Sequence, residues 1–346
     1  MFAMLGNIEH GERRKTVSNT YAKSYVLSPA VEKMMQGKIK DFMDRIGSQL
    51  TSDVFPEFHF LGLDVITAHV YGPDVGTKAL KRVGTDHTVL DDFIRGSKSA
   101  WMWSLVHFPE ITERASTPGD ILNKIATTVG ILRKTALPYT GARKHTYDST
   151  IKYLKEAVGT EDLSVMSKMI KYHVSQGGDW SDAELAAEAS DHTIAGADTT
   201  AETLTMLLWQ ISRPGFQHIQ DKLREELKSV QFNTDGIPPL RPIDKLPYLN
   251  AVINEGLRYY PAIPMSEPRV LEDPSKEVSI YGYKIPTGTI CSMQPYTENR
   301  IPEVFTDPDK FDPDRWMIPK ESDEYRAMNR MMWTFSSGGR MCIGLQ

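Results

Sequence analysis

Most of the first 230 residues show the hydrophobic period of amphipathic α-helices. Between residues 28 and 49, apolar positions recur three and four apart from Val31 to Ile46, which places them on one helix face. A second periodic stretch covers residues 56–71 and ends at a Gly-Pro pair. Further helices are predicted near residues 86–106, 119–133, 140–157 and 162–175.

The longest predicted helix covers residues 181–212. Ser181 and Glu184 have the spacing of a capping box, in which each side chain satisfies a backbone N–H group of the other at the helix start. An Arg-Pro-Gly run directly after residue 212 supplies the stop, because proline cannot continue a helix and glycine favours its end. Two shorter helices are predicted at residues 214–230 and 246–258.

The last third of the chain has a different pattern. Residues 267–293 alternate between apolar and polar positions and contain Gly282, Pro286 and Gly288, which predicts short strands and hairpins. Residues 301–319 hold four prolines and are predicted to form an irregular, packed segment. The chain is therefore predicted to be mainly α with a small β portion, and no shift in composition indicates a domain boundary.

The composition is that of a soluble globular protein, with 40% apolar and 25% charged residues in a chain of 346. The net charge of −5 gives no reason to expect nucleic-acid binding. The two cysteines, Cys291 and Cys342, form no C-x-x-C pair, which excludes a disulfide framework, a Cys-rich metal site and c-type haem attachment. No apolar run approaches the roughly 18 residues of a membrane span, and no signal peptide opens the chain.

A run near the end of the chain, F-x-x-G-x-R-x-C-x-G, combines Phe335, Gly338, Arg340, Cys342 and Gly344 at fixed spacing. A cysteine thiolate can ligate haem iron, and backbone N–H groups around the sulfur tune the metal. The two glycines let the backbone turn tightly and lie close to a flat macrocycle, and the arginine fork suits a haem propionate. The alternative is a buried free cysteine in a Gly-rich turn, which does not explain the other four positions.

The middle of the long helix breaks the rules of helix composition. Residues 195–200 read Ala-Gly-Ala-Asp-Thr-Thr, and Gly196 alone costs about 1 kcal/mol against alanine. Such local conflicts often mark functional sites. A small residue followed by Asp198 and Thr199 would leave room for a flat ligand and let the helix open around a small molecule. The alternative is a solvated polar face, which the presence of the cysteine run disfavours.

A third motif pairs two charges on one helix. Glu255 and Arg258 stand at i,i+3 and share a helix face. As an isolated surface pair they would contribute about 0–1 kcal/mol. Arg315 follows in the run Phe-Asp-Pro-Asp-Arg-Trp at residues 311–316, which gives the pair a candidate partner.

Together these motifs resemble those of the cytochrome P-450 family, over about residues 8–346. The resemblance implies the cytochrome P-450 fold, here incomplete, in a single mainly α domain with a small β portion. It implies haem b as the cofactor, between the long helix and the cysteine loop, with the Cys342 thiolate as axial ligand of the iron. By the same resemblance, Asp198 relays protons and Thr199 hydrogen-bonds dioxygen and its water, beside Gly196 in the distal helix.

The resemblance also implies roles for residues around the cofactor. Glu255, Arg258 and Arg315 are expected to form a buried charge triad that holds the cysteine loop in place. His10 departs from the family, in which many members have tryptophan at this position. The expected propionate partners are Arg340, Arg269, Arg14 and His10. The residues expected to shape the loop against the cofactor are Phe335, Gly338 and Gly344.

The implied activity is that of a monooxygenase that inserts one oxygen atom of O2 into a lipophilic small molecule, in fungal secondary metabolism. Electrons would come from NADPH through NADPH-cytochrome P-450 reductase. The basic helix with Arg13, Lys15 and Lys23 is a candidate surface for that partner. Family members are usually anchored to the endoplasmic reticulum membrane and face the cytosol, so membrane association is implied although the chain contains no span.

Against the family pattern, the chain begins at the propionate-binding helix and ends two residues after Gly344. The membrane anchor, the first strands, the substrate-capping loop and the helix after the cysteine are therefore expected to be missing. This leaves a non-functional remnant of the fold as one alternative. A haem-thiolate isomerase or dehydratase is a second, which the pair of Asp198 and Thr199 disfavours. A purely structural helical module is a third.

Overall fold

The computed structural model describes residues 7–84, 86–89, 114, 120–128, 141–156, 164–175, 180–271 and 278–345. The chain divides into two compact units. The first holds the chain up to Tyr25 and Lys33–Asp198, and the second holds Val26–Glu32 and the chain from Thr199 onward.

Helices dominate the described part of the first unit. They are α1 Asn7–Val17, α2 Lys23–Val26, α3 Pro29–Gly47, α4 Val54–Tyr71, α5 Ile121–Thr128, α6 Gly141–Glu156, α7 Val165–Ser175 and α8 Asp182–Ser212. The boundary between the units falls within α8, between Asp198 and Thr199, and it also falls within α2 and α3. The other helices of the second unit are α9 Gln217–Leu227, α10 Leu240–Ile243, α11 Pro247–Tyr259, α12 Pro295–Glu298 and α13 Asp323–Met331.

Most of the predicted helices are confirmed to within a few residues. The capping box at the start of α8 is formed: Glu184 N–H donates to Ser181 Oγ at 3.3 Å, and Ser181 N–H donates to Glu184 Oε2 at 3.0 Å. The helix ends at Ser212, and Gly215 adopts φ +91° in the turn that follows. The predicted helix at 86–106 is described only at its start, where a short 3₁₀ turn covers Asp86–Thr88. The remainder of that helix and residues 129–133 lie outside the described residues.

The core of the first unit is built around α4. Asp53 caps this helix by accepting a hydrogen bond from Phe55 N–H at 3.1 Å. Phe58 stacks on Phe42 of α3 with ring centroids 5.1 Å apart. The Tyr71 hydroxyl, at the other end of α4, donates to the backbone oxygen of a residue in α6 at 3.0 Å. Because apolar burial on several sides fixes α4, its polar side chains have defined positions.

The core of the second unit is built around α11, which is packed on two faces. One cluster contains Ile219, Tyr248, Val252 and Phe311. The other contains Ala251, Phe305, Trp316 and Met328. Because both faces of α11 are covered, the charged residues between them, Glu255 and Arg258, are carried fully into the interior.

The small β portion consists of two antiparallel pairs in the described part of the second unit. Strands β1 Glu267–Val270 and β4 Ile290–Met293 pair with Arg269 opposite Cys291. Strands β2 Val278–Ile280 and β3 Tyr283–Ile285 form a hairpin. Its two loop residues, Tyr281 and Gly282, have φ of 50° and 84°, the left-handed pair that a tight two-residue turn requires. The predicted hairpins and the predicted fold class are therefore confirmed.

Candidate functional site

The cysteine run folds into a closed loop after α13, here called the ligand loop (residues 335–344). Cys342 N–H donates to Phe335 O at 2.9 Å, which joins the two ends of the loop. Gly338 turns the chain with φ +71°, a conformation that favours glycine. Cys342 itself is exposed. A Cβ placed on Gly344 would lie 3.9 Å from Cys342 Sγ, so glycine at this position keeps the backbone beside the sulfur free of a side chain.

A buried group of charges, here called the charge cluster (Glu255, Arg258 and Arg315), lies in the same unit. Arg258 donates to both carboxylate oxygens of Glu255, from Nε and Nη2, at 2.8 Å each. Arg315 Nε donates to Glu255 Oε1 at 3.2 Å. The Glu255 carboxylate also accepts from Trp316 Nε1 at 3.0 Å and from Asp312 N–H at 2.8 Å. The side chains of Glu255 and Arg258 are completely buried, so the structure brings the three predicted charges together in a low-dielectric site.

Asn299, which sequence reasoning missed, connects the charge cluster to the approach of the ligand loop. It follows α12 and is completely buried. Its backbone oxygen accepts from Arg258 Nη1 at 3.0 Å, and its side-chain oxygen accepts from Trp333 N–H at 2.7 Å. A short polar residue in an irregular segment carries no periodic signal, so nothing in the local sequence points to this role.

The surroundings of the ligand loop suit an anionic group. Arg269 on β1 donates from Nη2 to Ser336 Oγ at 3.3 Å, with its side chain 46% exposed. Arg340 lies half-buried within the loop. Trp333 Nε1 is buried without an acceptor among the described residues. Because a buried donor normally has a partner, this N–H and the two guanidinium groups fit a carboxylate such as a haem propionate. The donor set therefore fits the predicted cofactor.

The other two predicted propionate partners lie on α1 in the first unit. His10 is buried, with 6% of the residue exposed, and Arg14 is half-buried. Their role toward the cofactor stays a prediction.

Arg13, Lys15 and Lys23 were predicted to share one basic helix, but Lys23 lies on α2 and Arg13 is paired within the first unit. Its Nη1 donates to Glu188 at 3.0 Å, and its guanidinium lies 4.4 Å from the centroid of the Trp180 ring. Glu188 is buried on α8, and a buried carboxylate requires a cation beside it. Lys15 and Lys23 are exposed, so only they stay candidates for a docking surface.

Two glycines allow α4 and α8 to cross at close range within the first unit. A Cβ on Gly62 would lie 2.7 Å from Ala197 O, and a Cβ on Gly196 would lie 2.5 Å from Ile66 Cγ1. Real side chains do not approach this closely. Gly196 was predicted to leave space for a flat ligand, but the crossing with α4 already requires a glycine there. Its contact with the cofactor stays a prediction.

Asp198 meets a buried histidine of α4. His59 Nε2 lies 3.2 Å from Asp198 Oδ1, and His59 Nδ1 lies 2.7 Å from Phe55 O. A carbonyl oxygen only accepts, so Nδ1 must carry a proton and donate it. A neutral imidazole would then present an acceptor to the carboxylate. The close approach of Nε2 and Oδ1 therefore requires a second proton, on the imidazole or on Asp198.

The Asp198 side chain is 58% exposed, although its partner His59 is almost completely buried. Thr199, the next residue, is half-buried, and its backbone oxygen accepts from Thr203 Oγ1 at 2.8 Å. An exposed carboxylate exchanges protons with water, and a carboxylate fixed by an imidazole keeps one orientation. This arrangement can deliver protons from a defined position on α8.

Among the residues that the structure describes, no helix is both long and apolar enough to cross a membrane.

The chain matches the family model described as cytochrome P450 over residues 6–346. It is 30% identical over its whole length to cytochrome P450 monooxygenase hkm5 of Aspergillus hancockii and 28% identical over 91% of its length to cytochrome P450 monooxygenase orf2 of Aspergillus niger. The chain spans 64% and 59% of the length of these two relatives.

The match to solved structures concerns the fold. Cyanobacterial CYP120A1, solved with retinoic acid bound, matches 98% of this chain with a TM-score of 0.68, over 68% of its own length. At 17% identity this similarity shows the fold and no more. The family match, which extends over nearly all residues and includes the ligand loop and the charge cluster, shows that this chain belongs to the cytochrome P450 family.

Proposed function

We propose that this chain acts as a haem-dependent monooxygenase that inserts one oxygen atom of O2 into a lipophilic small molecule. Its family is haem-thiolate, which makes haem b on a cysteine thiolate its cofactor. The observation that carries the proposal is the ligand loop, which presents an exposed Cys342 from a backbone closed by the hydrogen bond to Phe335 O. A cysteine held by its own N–H group, with no side chain on Gly344 beside it, suits the role of iron ligand.

Thiolate-ligated haem supplies the oxidising chemistry, because the thiolate donates electron density that favours O–O cleavage. The overall reaction consumes two electrons and two protons: one oxygen atom of O2 enters the substrate and the other leaves as water. The protein residues bind and orient the cofactor and deliver the protons. Cys342 is the proposed ligand. The proposed propionate partners are Arg269, Arg340, Trp333, Arg14 and His10.

Asp198 and Thr199 are the proposed proton-handling residues. The exposed carboxylate of Asp198 takes up protons from water, and His59 fixes its orientation. The hydroxyl of Thr199, on the next residue of α8, is the group proposed to pass a proton onward by hydrogen bonding. The charge cluster takes no part in this proton transfer. Its proposed role is to hold the ligand loop in place.

We also propose that residues 1–346 act as one functional domain, because the family match runs through both units. The proposed electron donor is NADPH-cytochrome P-450 reductase, and the exposed Lys15 and Lys23 are the proposed docking cations. Association with the cytosolic face of the endoplasmic reticulum is proposed from family membership. A role in secondary metabolism is proposed from the fungal origin of the two relatives.

Reduction under carbon monoxide tests the ligand assignment. The purified chain with haem b should give the absorption band of a thiolate-ligated complex, because Cys342 is exposed and is not part of a disulfide. Cys342→Ala should abolish that band, while Cys291→Ala, which removes the other cysteine, should keep it. A wild-type chain that takes up no haem would sink the proposed function.

Oxygen consumption tests the assignment of Thr199. With NADPH and reductase, Thr199→Ala should still consume NADPH and O2 but should release much less oxidised substrate per NADPH, because proton delivery is uncoupled. Thr200→Ala is the matched control, since Thr200 is the exposed neighbour on the same helix. A chain with the thiolate band that consumes neither NADPH nor O2, and still converts a substrate, would be an isomerase or dehydratase instead.

A further inference from the structure

The buried amide of Asn299 is the starting point. All four of its polar groups are occupied. Its backbone N–H donates to Pro295 O at 3.0 Å, and its backbone oxygen accepts from Arg258 Nη1 at 3.0 Å. Its side-chain Nδ2 donates to Arg258 O at 3.1 Å and to Thr334 Oγ1 at 2.9 Å, and its Oδ1 accepts from Trp333 N–H at 2.7 Å. Asn299 therefore contacts α11 on one side and the segment before the ligand loop on the other.

The orientation of this amide follows from the partners alone. The Thr334 hydroxyl has one proton, which it donates to Leu257 O at 2.8 Å, so it must accept from Asn299. The backbone oxygen of Arg258 also only accepts, so the NH2 group must face both. The backbone N–H of Trp333 only donates, so the amide oxygen must face it. A flipped amide would place like groups against each other at all three contacts.

Asn299 is also the link between the charge cluster and the ligand loop. None of the hydrogen bonds that the structure describes joins the side chains of the charge cluster to residues 333–344. The path leads from Glu255 to Arg258, from Arg258 to Asn299 and from Asn299 to Trp333 and Thr334. The next residue of the chain, Phe335, accepts the hydrogen bond of Cys342 N–H at 2.9 Å.

We propose that Asn299 is the positioning residue that transmits the rigidity of the charge cluster to Cys342. Its buried amide fixes the backbone at residues 333 and 334, and the Phe335 carbonyl then fixes the cysteine N–H and the direction of the sulfur. The inference rests on the proposed function in so far as Cys342 is the haem ligand. The fixed backbone itself is a property of the chain without cofactor, and can be tested there.

The first test uses the full 346-residue chain without haem. Asn299→Ala should lower the hydrogen-exchange protection of Cys342 N–H about five- to thirtyfold, as expected when one or two buried hydrogen bonds are lost. Protection within α11 should change much less. Gln210→Ala is the matched control: this amide is also buried in the second unit and accepts from Tyr260 OH at 2.7 Å, but it does not contact the loop. It should leave Cys342 N–H protected.

The second test uses the haem-loaded chain reduced under carbon monoxide. Asn299→Ala should convert a large part of the thiolate-type band into the band of a complex whose sulfur ligand is protonated or lost, and Gln210→Ala should not. Thr334→Val removes one of the three side-chain contacts of Asn299, together with the hydrogen bond from Thr334 Oγ1 to Leu257 O, and should act in the same direction. Because both residues lie on one path, the effect of Thr334→Val should be smaller in the Asn299→Ala background than in the wild type.

The two tests separate the possible failures. If wild-type chain binds no haem, the proposed function fails, while hydrogen exchange still decides the role of Asn299. If Asn299→Ala and Gln210→Ala lower the protection of Cys342 N–H equally, Asn299 is an ordinary buried residue and the positioning role is wrong. The same conclusion follows if Thr334→Val and Asn299→Ala act independently on the thiolate band.

Discussion

The ligand loop of the second unit and the crossing of α4 with α8 in the first unit are held by different kinds of contact. Around the ligand loop, buried charges and an amide use nearly all of their hydrogen-bonding capacity, as at Glu255 and Asn299. At the helix crossing, close packing does most of the work, through Gly62 and Gly196. Among the contacts that the structure describes at this crossing is a polar one between His59 and Asp198.

The difference fits the chemistry proposed for each region. A metal ligand must keep one position, and directional bonds to buried groups specify a position more sharply than apolar packing does. A proton-handling carboxylate must change its protonation state, so the role requires contact with water and few fixed partners. Asp198 has one described ion-pair partner and a side chain that is 58% exposed, as this proposed role requires.

Removing the charge of Glu255 should have the largest effect. Glu255→Gln leaves the guanidinium groups of Arg258 and Arg315 buried without a counter-charge, which should cost about 3–5 kcal/mol in the free energy of unfolding. Chemical denaturation followed by circular dichroism measures this. Glu267→Gln is the control, because its pair with Arg269 at 3.3 Å lies near the surface and should contribute less than about 1 kcal/mol. An equal loss of unfolding free energy in the two variants would show that burial does not make the charge cluster more important than a surface ion pair.

The first unit should be the more sensitive to acid, through His192 on α8. Its ring is buried, and its Nδ1 shares a hydrogen bond with Tyr21 OH at 2.8 Å. Burial lowers the pKa of His192 from 6.5 to about 3. The unfolded chain therefore binds this proton first as the pH falls. The free energy of unfolding is therefore unaffected by the titration of His192 above pH 6.5 and falls progressively as the pH is lowered towards 3. The total loss amounts to a few kcal/mol.

His192→Gln should flatten this part of the pH dependence, measured as the thermal midpoint between pH 7 and pH 4. His218→Gln, at an exposed histidine of α9, should not. If both variants keep the wild-type slope, another group controls the acid sensitivity.

The helix crossing should show a smaller and more graded response. Gly62→Ala places a methyl group against the backbone oxygen of Ala197 and should cost about 1–3 kcal/mol, because α8 would have to shift. In Gly196→Ala the three atoms nearest to the added methyl group all belong to the side chain of Ile66, which can move more easily than backbone, so this change should cost less. Thermal unfolding of both variants measures the difference. Gly11→Ala in α1 is the control and should be neutral or stabilising, because no atom beyond the adjoining residues and the backbone of its own helix lies within 4 Å of the added group.

Shortening Ile66 tests the same assignment from the other side. In an Ile66→Ala background, Gly196→Ala should cost less than in the wild type, whereas Gly62→Ala should cost as much as before. Relief of both glycine variants by Ile66→Ala would mean that side-chain crowding, and not the approach of the two backbones, limits the crossing.

Much of the fold could be predicted from the sequence because it depends on near neighbours in the chain. The capping box of Ser181 and Glu184, the end of α8 and the turn at Gly282 each involve groups a few residues apart. The motif of the ligand loop also lies within ten consecutive residues, so Cys342 could be predicted as a candidate iron ligand. The spacing of Glu255 and Arg258 predicts only a pair of charges on one helix face. The third member of the charge cluster, Arg315, was predicted from the family resemblance.

The contacts missed from the sequence join residues that are far apart in it. His59 and Asp198 are 139 positions apart, and Arg13 and Glu188 are 175 apart. The burial of Glu188 could not be predicted, because an acidic residue on a helix is usually solvated. Only the packing of α8 buries this side chain. Gly196 gave a signal, but the sequence could not tell close packing from space for a ligand.

The sequence by itself determined most of the described helices, the short strands and the spacing of the ligand loop around its candidate cysteine ligand. Hydrophobic period, capping and glycine conformation act over a few residues, so they can be predicted locally. The tertiary structure decided which polar groups lose water and therefore must find partners. That selection turned Glu255 and Arg258 from a weak surface pair into a buried one, and made Asn299 the link to Cys342. Burial is set by how the helices pack, and packing is a property of the whole chain.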